Sequence, residues 1–310
     1  MIKRRVKMKK HLFSVLTGFI LLTTGICGCI NNNDQSNTQQ EEGILMEWIR
    51  ESGVRIDNGV SSATNIIDDM YVMYYTADGI QIAKSFDGLT FEKAGVAVQN
   101  GEPGSMQEMI SNSAVFELSN GSYRMIYEGR DSNQDRRFFS AFSMDGFNWI
   151  KEEGIRFQDY GDGKPGELFT SVPDIIRLDN DDLRMYYTRG ISSATALSTD
   201  EGITWIKEGN LDFDRIVIDP DIIRLDDGSY KLFFTSFDEE FGVGPQYVMS
   251  ASSSDGLSFT IDEGKRLEPV SENKLLLDPD IIRLSDGSYR MYYSEMQNDG
   301  SIIILSAISM

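Results

Sequence analysis

Residues 219–234 read DPDIIRLDDGSYKLFF, and residues 278–293 read DPDIIRLSDGSYRMYY. Such a near-copy constrains the fold strongly, because repeated supersecondary units bury their apolar faces only by packing on their neighbours. Related phrases stand at 112–127 (NSAVFELSNGSYRMIY), at 172–187 (VPDIIRLDNDDLRMYY) and, one residue shorter at its turn, at 61–75 (SSATNIIDDMYVMYY). Their equivalent positions are Tyr71, Tyr123, Leu183, Tyr230 and Tyr289, spaced 52, 60, 47 and 59 residues apart. Each phrase reads as two strands of β-branched and aromatic residues around a tight turn, with Asn-Gly or Asp-Gly in three of the five. A second phrase follows the first four copies: AKSFDGLTF (83–91), AFSMDGFNW (141–149), ALSTDEGITW (196–205) and ASSSDGLSF (251–259). These are again strand, turn, strand. Each unit thus holds four short antiparallel strands, A to D, and the chain is expected to be all-β, a five-bladed β-propeller.

The ends supply a check. The fifth unit stops at LSAISM (305–310) with no D strand, whereas MEWIRESGVRI (46–56) is similar to NWIKEEGIRF (148–157), the D strand of the second unit. The N-terminal strand is therefore expected to close the last blade, giving one propeller domain over 44–310. Residues 30–43 are polar and free of aromatics, which predicts a disordered tether. Residues 1–29 carry a basic segment and a short apolar run, LFSVLTGFILLTTGI (12–26), too short to span a bilayer, and read as a secretory signal. Gly28-Cys29 at its end resembles a lipobox, so an exported, cell-surface protein lipidated at Cys29 is expected. A single acyl chain anchors weakly, so more than one is anticipated.

Beyond residue 29 the chain has no histidine and no cysteine. That excludes disulfides, Ser-His-Asp and thiol catalysis, and zinc on His or Cys in the folded part. Carboxylates, hydroxyls, Arg and Lys remain. The formal charge of −20 argues against nucleic acid as a partner and against contact with anionic headgroups, leaving the membrane to the anchor alone.

The phrase STDEGITW (198–205) resembles the Asp-box of sialidases and other propellers, with shorter copies in three other blades. Asp87, Asp145, Asp200 and Asp255 are expected to bond turn amides, with Phe91, Trp149, Trp205 and Phe259 packing between blades. Met73, Met125, Met185 and Met291, beside tyrosines in mid-strand, read as core.

With DPD at strand A, DG-x-Y turns and Asp-Gly C–D turns, the domain resembles the five-bladed glycoside hydrolase superfamily of families 43, 32, 62, 117 and 130. The resemblance implies cleavage of glycosidic bonds by carboxylates near the funnel where A strands begin, with a glycan or oligosaccharide as partner. Families 43 and 32 place a base or nucleophile on the first blade, where this chain has Ser61 and Ala63; Asp57 is a substitute close by. The first Asp of DPD gives Asp219 and Asp278 as base or nucleophile candidates. The second gives Asp174, Asp221 and Asp280, which either contact substrate or brace a neighbouring blade. Acid candidates are Glu167 and Glu108 on D–A connections and Glu128 at the end of a B strand. Arg130 and Arg189, each ending a B strand, are candidates for binding substrate hydroxyls or anionic groups. No cofactor is required, although calcium on funnel carboxylates suits this all-oxygen ligand set. Asp131-x-Asn133-x-Asp135 imitates a calcium loop but has Arg136 where glycine is needed. The alternative is a non-catalytic surface propeller that binds a glycan or protein through the same face.

Overall fold

The computed structural model describes residues 46–159, 169–238, 244–271 and 275–310. The Cys29, Glu167, signal and tether expectations lie outside them. The described residues form five four-stranded antiparallel sheets, a five-bladed propeller. The A strands are Val60–Ile67, Met109–Glu117, Thr170–Arg177, Ile218–Arg224 and Leu276–Arg283. The B strands are Met70–Ala77, Tyr123–Arg130, Leu183–Arg189, Tyr230–Phe237 and Tyr289–Met296, and the C strands run Gly79–Ser85, Arg136–Ser143, Ser192–Ser198, Gln246–Ser253 and Ile302–Ser309. Four D strands follow their blades: Glu92–Val98, Trp149–Lys151, Ile206–Asn210 and Thr260–Ile261. The fifth is Trp48–Arg50 from the N-terminal side, with Trp48 opposite Ser309 and Arg50 opposite Ala307. The expected closure of the ring is observed.

An ion pair repeats across the blades and identifies the closing strand as a true member. In blades two to four a buried cation on strand B meets an acid on or just after strand D: Arg124–Glu152, Arg184–Glu208 and Lys231–Asp262. In blade five Arg290 meets Glu51 at 2.9 Å, so the N-terminal segment brings the same partner.

The blades are latched to one another at their C–D turns. Asp87, Asp145 and Asp255 each accept two amides of their own turn, and those amides hold the carboxylates well below the ordinary range. The turn they fix offers its glycine carbonyl to a buried tyrosine of the preceding blade. Tyr74 donates to Gly146, Tyr186 to Gly256 and Tyr292 to Gly88. Trp149, Phe259 and Phe91 pack edge-on against those tyrosines, and Trp205 lies in one core cluster with Ile126. The four strand-B methionines are fully buried in these inter-blade cores.

Candidate active site

Every A strand breaks register near its start, where one bulge residue takes a left-handed conformation. These are Ser61 (φ 53°), Asn112 (47°), Val172 (43°), Asp219 (52°) and Asp278 (49°). Asn and Asp adopt that conformation at small cost, whereas a β-branched valine does not. Glycine is absent from all five positions.

Just before each bulge, strand A pairs with Thr76, Glu128, Thr188, Thr235 or Ser294 of strand B. Four blades supply a hydroxyl here. In blades one, three and five that hydroxyl accepts the bulge amide of the next blade: Asn112 to Thr76 (2.8 Å), Asp219 to Thr188 (2.8 Å) and Ser61 to Ser294 (3.0 Å). Blade two has Glu128 instead. Its carboxylate is 1% exposed and accepts Asn112 Nδ2 at 2.9 Å and the Ser171 hydroxyl, with Arg136 Nη1 3.4 Å away. Three donors converge on it, a set suited to a group that only accepts.

Asp219 and Asp278 complete this layer, and both are buried. Burial pushes Asp219 up to about 6 against the Thr235 hydroxyl and the Asp278 amide, with the Glu128 charge adding to the rise. Burial, then the Asp219 charge, holds Asp278 well above the usual carboxylate range. The two interact, so their apparent values belong to the pair and not to either residue alone.

The second aspartates form a deeper layer that braces the ring. Asp174 accepts the Ile222 amide at 2.7 Å, Asp221 the Ile281 amide at 3.2 Å, and Asp280 both the amide and the hydroxyl of Thr64. All three line a channel cavity of about 180 Å³, together with Asp278. This is below the ~300–1,000 Å³ of usual small-molecule pockets, which leaves the mouth above it for a larger ligand. Burial pushes Asp174 up to about 7 and raises Asp221 and Asp280 as well.

Other predicted site residues are placed elsewhere. Asp57 is exposed and pairs with Lys93 of the outer strand of blade one at 3.0 Å, so it does not replace the missing first-blade acid in the channel. Glu108 is half-buried and accepts the Gly104 amide of its own loop. Arg189 lies 2.8 Å from Asp159, which also meets Lys207 and Tyr187. Arg130 ends strand B two residues beyond Glu128. Asp131 accepts the amides of Asn133 and Asp135 and pairs with Arg137, closing its own turn. Among the described residues no three carboxylates converge at metal-ligand spacing, and Asp174 and Asp280 are already engaged by amides. Sequence reasoning singled out Glu128 only as one acid among several; the signal that distinguishes it is a glutamate in a column of Thr and Ser.

No protein-family profile matches the sequence, and no curated protein matches it. Solved structures do resemble the chain. A glycoside hydrolase superposes with a TM-score of 0.71 at 16% identity, over 86% of this chain and 92% of the other. A thermostable family-43 glycoside hydrolase gives 0.66 at 15%, over 84% and 92%. The α-L-arabinanase of Cellvibrio cellulosa, solved with arabinohexaose, gives 0.65 at 12%, over 82% and 92%. The chain has the five-bladed fold of these hydrolases.

Proposed function

We propose that the protein is an exported, lipid-anchored, carbohydrate-active propeller that hydrolyses glycosidic bonds at the mouth of its central channel. The observation that carries this reading is the buried layer of Asp219, Asp278 and Glu128, at the end of the ring where the A strands begin. Glycoside hydrolysis needs one carboxyl that delivers a proton to the leaving oxygen and one carboxylate that activates water or attacks the sugar. The Asp219–Asp278 pair, raised by burial and by neighbouring carboxylate charge, supplies the proton. Glu128, surrounded by donors, supplies the carboxylate. Glu167 is a further candidate acid, seven residues before Asp174 in sequence.

Asp219→Asn, Asp278→Asn, Glu128→Gln and Glu167→Gln, assayed on a panel of aryl glycosides and oligosaccharides, test this. Loss of the true acid slows cleavage by ~10²–10⁴-fold, and less for activated leaving groups. No turnover by the wild-type protein on any glycan refutes the enzyme reading. A second reading, a glycan-binding propeller without turnover, is favoured by one observation: blade one presents Ser61 and Ala63 to the funnel and no carboxylate. It predicts saturable binding that the same substitutions weaken. The anchor rests on the basic segment, apolar run and Gly28-Cys29; Cys29→Ser releases the protein from membranes, whereas Cys27→Ser does not.

A further inference from the structure

We infer that the sugar taken at this mouth carries a negative charge, a carboxylate or a sulfate ester, recognised by Arg130 and Arg136. The inference rests on the glycan-acting reading above and names its substrate class.

Arg130 closes strand B of blade two, Arg136 opens strand C, and the two are direct cross-strand partners. Like charges directly opposite on a sheet are destabilising. Arg136 is compensated: it lies 3.4 Å from Glu128, donates to Ser171 Oγ at 3.1 Å and stacks 4.5 Å over the Phe169 ring. Arg130 is not. Among the described residues its one contact at hydrogen-bonding distance is Nη2 to Met109 Sδ at 3.1 Å, and its buried Nε has no partner there. Among the described residues no carboxylate lies within ion-pair distance of it. Glu128 does not serve both arginines, because Asn112 and Ser171 already occupy it.

A partly desolvated guanidinium with no carboxylate partner among the described residues, facing a second guanidinium, is suited to bind an anion. A planar fork of donors matches a carboxylate or sulfate in two-point contact. Its position suits a substrate group. Residues two apart on a strand share a face about 7 Å apart, so a sugar reaching Glu128 places a substituent near Arg130. The charge of −20 makes the pair more telling, since the whole-protein field repels anions and only a local site recruits them.

The test uses the intact propeller and calorimetric titration with four probes: tetragalacturonate, its methyl ester, a sulfated galacto-oligosaccharide and xylotetraose. At least one charged probe is expected to bind tenfold or more tightly than xylotetraose. If tetragalacturonate is the ligand, methyl esterification removes the preference; if the sulfated probe alone binds, the anion is a sulfate. Arg130→Gln abolishes the preference, Arg130→Lys retains part of it, and neither lowers the melting temperature, because no folded-state ion pair is lost. Binding of xylotetraose as tight as that of both charged probes overturns the inference and leaves the glycan reading intact. So does a charged preference that Arg130→Gln leaves unchanged. Failure to bind any of the four, together with no turnover on the glycan panel, overturns both.

Discussion

Asp280 Oδ2 accepts the Thr64 hydroxyl at 2.7 Å while its Oδ1 accepts the Thr64 amide, joining the innermost strands of the last and first blades across 216 residues of sequence. The ring therefore has a second closure, at the axis, in addition to the strand exchange at its rim. Asp280→Ala removes both bonds and is expected to cost ~1–3 kcal/mol at pH 5. The cost shrinks at pH 8, because the change also removes a charge that repels Asp221. Urea unfolding at the two pH values measures the difference.

Stability is expected to fall between pH 5 and pH 8. Asp219 and Asp174 titrate near 6 and near 7 in the folded protein against 3.8 unfolded, so in that window the native state binds more protons. Stability then declines as pH rises, is lost progressively through the folded values and levels off above them. Calorimetry across this range shows a higher melting temperature at pH 5. Asp219→Asn or Asp174→Asn flattens the curve, whereas Glu47→Gln, which removes one exposed charge, does not.

Arg290 is buried and held bidentately by Glu51 at 2.9 Å on both oxygens. Glu51→Ala strands that charge and is expected to cost ~3–5 kcal/mol, the usual penalty for half of a buried pair. The double change Glu51→Ala with Arg290→Met recovers most of it. Equal losses in single and double variants would refute the pairing as the cause.

Val172 is the one β-branched residue among the five left-handed bulges. Val172→Asn gives blade three the residue that blade two already uses at Asn112. The change is expected to stabilise the protein by ~1 kcal/mol, since strained backbone of this kind costs ~1–3 kcal/mol. That is a rise of about 2–4 °C in melting temperature. An unchanged or lower value shows that Val172 packing outweighs its strain.

The repeated phrases sufficed to establish five blades, four strands in each and closure by the N-terminal strand. Those properties follow from turn chemistry and alternation within about fifteen residues, and the copies reinforce one another. The division of labour among the aspartates did not follow. Which amide of the neighbouring blade Asp219 and Asp221 each meet depends on a bulge that sets the two side chains apart. It depends also on partners 48 to 60 residues distant, such as Ile222 for Asp174 and Ile281 for Asp221. Asp57 lies close to the first blade in sequence, but its loop carries it outward to Lys93. Glu128 looked like one acid among many until the sheet register set it in a column of hydroxyls, and Arg136 became its partner only because strand C begins opposite the end of strand B. Local sequence determined the blades; the juxtaposition of strands from different blades decided which charges share the funnel.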